Sequence, residues 1–235
     1  GIDYKLGVRF QSVTQHDSGV VISLEDGTVI EAEYLLVAVG RGPSTQGMGF
    51  EAVGVQMDRG FVLTNERLAT NVPGVFAVGD IVPGLQLAHR GFQQGIFVAE
   101  EIAGLNPIVV ADLNIPKVTY CDPEVASIGL TEAQAIAARG ADAVQSYDYN
   151  LAGNGKSEII GTSGIIKVVR EKDGPVLGVH MIGARVGELI GEAQLVVGWE
   201  AHPEDIAPLI HAHPTQNEAL GEAFLALAGK PLHTL

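Results

Sequence analysis

Between residues 118 and 182 the chain repeats one pattern five times: a short run rich in valine and isoleucine, bounded by turn-forming or charged residues. Residues 118–120, 125–130, 144–149, 165–170 and 176–182 each have strand length and the β-branched content of a pleated surface. Helical segments are predicted between and after them, over 131–139, 185–199, 203–210 and 215–227. Thr131 followed by Gln134 has the spacing of a capping box, which marks the start of the first. Strands alternating with helices in this order predict an α+β domain over residues 113–235, with the sheet on one side and helices on the other, inside an α/β protein.

The first 112 residues read differently. Residues 20–24 and 29–35 flank Glu25-Asp26-Gly27-Thr28, and Asp-Gly between two such runs predicts a hairpin. The continuous apolar run 35–40 predicts a buried strand ending at Gly40, and 74–80 a second one ending at Asp80. Over 87–103, Ala88, Phe92, Ile96, Ala99 and Ala103 recur at helical spacing, which predicts a helix with that stripe buried. These changes divide the chain into residues 1–40, 41–112 and 113–235.

Composition excludes several function classes. The net charge of −14, with no run of Lys or Arg, argues against nucleic acid and anionic membrane as partners. No apolar run reaches the roughly 20 residues that span a bilayer, and no signal peptide is visible. Cys121 is the one cysteine among 235 residues, so no intrachain disulfide can form. That fits a reducing cytoplasm. The chain opens at Gly1 without methionine and runs straight into strand-like sequence, so it reads as part of something longer.

Chemistry concentrates near the end, in His211-Ala-His213-Pro-Thr-Gln-Asn-Glu218. A carboxylate five residues after His213 can orient the imidazole and keep it basic, as a general base requires. The positive end of the following helix would depress the histidine's proton affinity, and the carboxylate opposes that. Thr215 and Glu218 also have capping-box spacing, so the same residues can simply satisfy amides at a helix start. Both readings can hold together. A metal site of His211, His213 and Glu218 is not expected, because no third histidine or cysteine has ligand spacing.

Asp80 lies where ligands gather in open α/β sheets, outside the carboxyl end of a strand, although it could equally cap the next turn. The helix beginning near Leu87 points its positive end beyond Asp80. Two other motifs fail. Gly47-Met-Gly-Phe-Glu-Ala52 fits a dinucleotide pattern but follows a loop instead of a strand. Gly155-Lys156-Ser157 ends like a phosphate loop, but Asn150 stands where that motif needs glycine.

Six segments then carry a resemblance to a known family. Thr70-Asn-Val-Pro-Gly-Val-Phe-Ala-Val-Gly-Asp80 with Leu87-Ala-His89 resembles the second flavin-binding segment of the pyridine nucleotide-disulfide oxidoreductases. Val39-Gly40-Arg41-Gly-Pro resembles their crossing from nicotinamide domain to flavin domain, with Gly42 where the family often has Arg. Tyr120-Cys-Asp-Pro-Glu-Val-Ala-Ser-Ile-Gly129 is similar to the start of their dimerisation domain. Leu177 to Gly183, Gly187-Glu-Leu-Ile-Gly-Glu192 and the closing His211–Glu218 segment look like the dihydrolipoamide dehydrogenase branch.

The resemblance implies roles and boundaries. Residues 1–40 would end a nicotinamide domain, 41–112 would return to the FAD domain, and 113–235 would form the interface domain. His213 would take the proton from dihydrolipoamide and Glu218 would orient it, both serving the flavin of the other subunit of a homodimer. His211 would be a bystander. Asp80 would bind the FAD ribitol, Leu87, Ala88 and His89 would line the flavin ring, and Gly40 would approach NAD. Lipoyl-bearing subunits of 2-oxoacid dehydrogenase complexes would be partners. The flavin fingerprint, the redox disulfide and the nicotinamide fingerprint of that family are not in these 235 residues. The chain alone is therefore expected to be inert and without FAD. Two alternatives stay open: another disulfide reductase, such as glutathione reductase, or a non-catalytic dimerisation module.

Overall fold

A computed structural model describes residues 1–109 and 111–233, and the chain divides into two units, Gly1–Gly42 and Pro43–Leu235. The first unit is built around the predicted Asp-Gly turn. Strands β1 (Phe10–His16), β2 (Gly19–Leu24) and β3 (Val29–Ala32) form an antiparallel meander in that order. Asp26 Oδ1 accepts from the Thr28 amide at 2.9 Å and so closes the β2–β3 turn.

The buried strand predicted over 35–40 does not form. Leu36 is 87% exposed and Val39 is 94% exposed, and no described residue pairs with them as a strand. An apolar run becomes a strand only where a neighbour takes up its backbone N–H and C=O groups.

The second unit begins with a two-residue hairpin, β4 (Met57–Asp58) and β5 (Phe61–Val62), beside a small cluster of Val55, Val62, Ala77 and Val82. The strand predicted over 74–80 reduces to a single bridge between Ala69 and Phe76, followed by one 3-10 turn, Gly79–Ile81. Helix α1 (Ala88–Ile102) forms where predicted but turns a different face inward. Phe92 is 73% exposed and Ile96 is 51% exposed, whereas Arg90, Gln94 and Phe97 are buried. The inward face is polar because the preceding loop needs donors and acceptors. Arg90 donates to the carbonyls of Pro83 (2.7 Å) and Leu85 (3.2 Å), and Gln94 Oε1 accepts from the Gly79 amide at 2.8 Å.

The rest of this unit follows the predicted α+β order: β6 (Lys117–Thr119), β7 (Glu124–Gly129), α2 (Glu132–Arg139), β8 (Val144–Asn150), α3 (Gly155–Ile160), β9 (Ile165–Glu171), β10 (Val176–Gly183), α4 (Val186–Gly198), α5 (Pro203–Ile206) and α6 (Glu218–Leu227). The five strands make one antiparallel sheet in the order β6-β7-β10-β9-β8. Period-two alternation sends Ala126, Ile128, Ile166, Val168, Val179 and Met181 inward, where α4 and α6 cover them. Each fully buried Val, Ile, Leu or Phe contributes about 1.5–3 kcal/mol relative to exposure. This layer is what holds the end of the chain in place.

Local chemistry sets the joints. The Thr131–Gln134 capping box is complete, with Thr131 Oγ1 accepting from the Gln134 amide at 3.2 Å. Gly129 sits at φ +74°, and a Cβ there would lie 2.2 Å from the Leu177 carbonyl oxygen, so only glycine fits where β7 leaves the sheet. Helix α3 was not anticipated; Asn154 caps it by accepting from the Ser157 amide at 2.9 Å. Buried Arg170 binds Glu204 at 2.8 Å and the carbonyls of Gly174 and Leu227, tying β9 to α5 and α6. Helix α5 ends at Ile206 instead of residue 210, and α6 begins at Glu218 instead of residue 215. Among the described residues no helix is long and apolar enough to cross a membrane.

Candidate active site

The loop from His211 to Asn217 lies between α5 and α6 and carries most of the chemistry. Glu218, at the first position of α6, uses its two carboxylate oxygens differently. Oε2 accepts from the Thr215 amide at 2.8 Å, and Oε1 meets His213 Nδ1 at 2.9 Å. One residue therefore closes the helix start and orients the histidine. The capping box is only half made, because Thr215 Oγ1 donates to the Ala212 carbonyl at 2.6 Å and does not cap α6. That turn is why α6 starts three residues later than its pattern suggested.

A carboxylate can only accept, so His213 donates from Nδ1 and its Nε2 is left with the lone pair. The His213 side chain is 79% exposed, so that lone pair faces outward. Burial pushes the Glu218 carboxyl up, but the bonds from the Thr215 amide and from His213 outweigh it and hold the group below the ordinary carboxylate range. The arrangement is a base with a fixed tautomer and an ionised partner.

Two further histidine–carboxylate pairs stand nearby. His211 Nε2 meets Glu192 Oε1 at 2.8 Å, and Glu192 Oε2 accepts from Asn217 Nδ2 at 2.7 Å. His233 Nδ1 meets Glu222 Oε1 at 2.9 Å, and its backbone amide donates to Oε2 at 2.8 Å. His211 and His213 thus turn to different carboxylates. A cavity of about 410 Å³ beside them is lined by Tyr149, Asn154, His211, His213, Glu218 and Glu222, among others. Burial, with Glu222 next in weight, pushes the Tyr149 hydroxyl up to about 12, so it stays protonated there. Asn154 was missed in the sequence, yet its side chain donates to the Thr215 carbonyl at 3.0 Å and braces the loop.

The hydrogen bond to Glu192 raises the His211 pKa above its ordinary 6.5, against the opposing effect of burial. The sign follows from linkage. Stability from this pair is fully present below the unfolded value and is lost as pH rises through the raised folded value. Replacing His211 with Gln is therefore expected to destabilise the protein more at about pH 6 than at about pH 9, read as the gap between denaturation midpoints. A gap that widens toward alkaline pH would contradict the pairing.

Asp80 is exposed in the turn Gly79–Ile81, one loop ahead of α1. The Gln86 side chain donates to its carbonyl at 3.2 Å. Leu87 occupies the N-cap of α1 without a side-chain cap, and no acidic residue stands in the first turn. The amides at Ala88 and His89 are thus presented without a competing anion. The His89 ring turns away to the Pro116 carbonyl at 2.8 Å. Asp80 and residues 87–89 come together, and none of them lines the cavity beside His213. Gly40 belongs to the first unit, at φ +130°, with nothing within 4 Å of where a Cβ would stand.

Known proteins resemble this chain in sequence and fold. The sequence matches the profile of the pyridine nucleotide-disulphide oxidoreductase dimerisation domain over residues 115–224, and that of the pyridine nucleotide-disulphide oxidoreductases over residues 1–95. It is 38% identical to the mitochondrial dihydrolipoyl dehydrogenase of Pisum sativum across 99% of this chain and 48% of that protein. It is 39% identical to the dihydrolipoyl dehydrogenase of Bacillus subtilis across 95% of this chain and 48% of that protein. The crystal structure of LpdA from Mycobacterium tuberculosis superposes with a TM-score of 0.83 at 25% identity, over 94% of this chain and 48% of that one. The chain thus spans about half the length of the relatives it matches. With both profiles matched in chain order and the identity sustained from end to end, the chain belongs to the pyridine nucleotide-disulphide oxidoreductase family.

Proposed function

We propose that the complete protein is a dihydrolipoamide dehydrogenase, and that this chain supplies its base, one flank of its flavin site and its dimer interface. The observation that carries the reading is the His213–Glu218 pair, with Nδ1 held at 2.9 Å and Nε2 outward. His213 Nε2 takes the proton of a dihydrolipoamide thiol, and Glu218 stabilises the imidazolium that results. The thiolate so formed attacks a redox disulfide elsewhere in the complete protein, since this chain has one cysteine. On this reading residues 1–40 end the nicotinamide domain, 41–112 return to the FAD domain and 113–235 form the interface domain.

The residues present fit the implied cofactors. Asp80 would accept from a ribitol hydroxyl, and the uncapped amide end of α1 at Leu87, Ala88 and His89 would offer a positive dipole to the flavin ring. Gly40, open on its Cβ side, lets a nicotinamide nucleotide approach the backbone closely. When bound, FAD carries electron pairs from thiols to NAD.

A homodimer fits the geometry. The match to a dimerisation-domain profile over residues 115–224 supports a homodimer, in which the base serves a partner's flavin. A groove of about 850 Å³ next to the loop exposes Leu195, Trp199, Leu209 and Ile210, a surface suited to a second copy. Lipoyl-bearing subunits of 2-oxoacid dehydrogenase complexes are the proposed partners, and a reducing cytoplasm fits the lone cysteine.

The test uses the complete protein with dihydrolipoamide and with glutathione. Turnover with the first alone supports the reading; preference for glutathione replaces it with another reductase. A dimer without bound flavin and without either activity would favour a dimerisation module. Replacing Glu218 with Gln removes the negative charge that supports the imidazolium, so turnover falls. Unchanged turnover would leave Glu218 with a capping role only.

A further inference from the structure

Resting on the proposed role of His213, we propose that Glu192 is a positioning residue whose single carboxylate fastens both ends of the catalytic loop to α4. The loop runs from His211 to Asn217, and Glu192 holds both of those residues. Oε1 meets His211 Nε2 at 2.8 Å and Oε2 accepts from Asn217 Nδ2 at 2.7 Å. His213 lies between these two anchors, and Glu218 follows the second one directly.

The seat of His211 is shaped from the other side as well. Gly221 on α6 lies under the ring, and a Cβ at that position would stand 2.7 Å from His211 Nδ1. The imidazole is therefore wedged between an α4 carboxylate and an α6 backbone, with its side chain only 13% exposed. His213, two residues on, is supported by Glu218 alone among these groups and is otherwise outward. A mostly exposed base keeps a fixed direction only if its backbone is fixed, and misplacement by about 1 Å can cost as much as a hundredfold in rate. From α6 Glu218 holds the Thr215 amide and His213, but Asn217 makes no side-chain cap on that helix. Its amide is committed to Glu192 instead.

The charged groups around His211 agree with a structural tie instead of a second base. Glu192 faces it from α4, Glu218 from α6, and both favour its protonated form. His213 shares its cavity, as do Glu222 and His233. An imidazole whose Nε2 is committed to a buried-side carboxylate has no nitrogen left toward substrate on that edge.

The experiment is a double-mutant cycle in the complete, flavin-loaded protein with Glu192→Ala, His213→Ala and both together. Glu192→Ala is expected to lower kcat with dihydrolipoamide about ten- to a hundredfold. Reduction of the flavin by NADH, which needs no proton from this loop, is expected to stay unchanged. In the His213→Ala background the second substitution is expected to cost nothing further, because Glu192 acts through His213. Full additivity, or equal loss in the NADH half-reaction, would overturn the proposal and leave Glu192 a general packing residue. Normal kcat in Glu192→Ala beside a collapsed His213→Ala would overturn it while sparing the base assignment. Normal turnover in His213→Ala would instead sink the base assignment. Should Glu192→Ala fail to fold, Asn217→Ala cuts one tie and keeps the half-buried charge; the same non-additivity is expected with a smaller loss, and its absence counts against the proposal.

Discussion

Replacing His213 with Ala in the complete protein is expected to lower turnover of dihydrolipoamide by about 10²- to 10⁴-fold, the range a positioned general base supplies. Flavin content, dimerisation and unfolding midpoint are expected to stay near those of the parent. The separation follows from geometry. The His213 side chain is 79% exposed and, among the described residues, its one hydrogen bond is to Glu218, so removing it opens no cavity. Glu218 keeps its second bond to the Thr215 amide, and the start of α6 remains closed. Asp80 and residues 87–89, the proposed flavin contacts, lie outside the His213 cavity. Steady-state turnover beside flavin absorbance checks both halves. Loss of flavin together with activity would mean that the loop supports the fold, and near-parent turnover would remove His213 from the mechanism.

Legibility in the sequence depended on whether a signal was local. The five strands of the large sheet were readable because β-branched runs need only a pleat and a core face, and both are supplied within residues 117–183. The Thr131–Gln134 cap was readable because its partners are three residues apart. Residues 35–40 and 74–80 misled because a continuous apolar run reports a wish for burial and does not say what lies beside it. The stripe of Phe92 and Ile96 on α1 misled for a related reason. Periodicity marks a face, but the loop at residues 79–85 demanded polar partners, and Arg90 and Gln94 took the inward side. Helix α3 is only six residues long and opens at Gly155, so its one local signal is Asn154 as N-cap ahead of Ser157.

The candidate site shows the same division. His213 and Glu218 are five residues apart, so their pairing was one of the two readings that the spacing left open. Glu192 stood inside a recognised segment, yet its partners His211 and Asn217 lie 19 and 25 residues away. No periodic pattern links those distances, and His211 looked like a bystander. The single core that α4 and α6 share over one sheet is what brings them together.

That packing makes the second large prediction. Phe224→Ala is expected to destabilise the interface domain by about 3–5 kcal/mol, the usual loss when a large buried aromatic leaves a cavity. Phe224 has no exposed surface and belongs to the core shared by α4, α6 and the sheet, whose members include the fully buried Leu220, Val168 and Val179. Rigid strands behind it and a helix anchored at Glu218 in front leave little room to collapse into the space. Phe224→Leu keeps most of the volume and should cost clearly less. Denaturant midpoints of the two variants against the parent give the comparison. A loss under about 1 kcal/mol for the Ala variant would mean that α6 is not held by this core. The catalytic consequence differs in kind from that of His213. Phe224 is six positions beyond Glu218 on the same helix, so loosening it should weaken the dyad by allowing α6 to shift, with an effect on turnover that grows with temperature and vanishes under conditions that restabilise the fold.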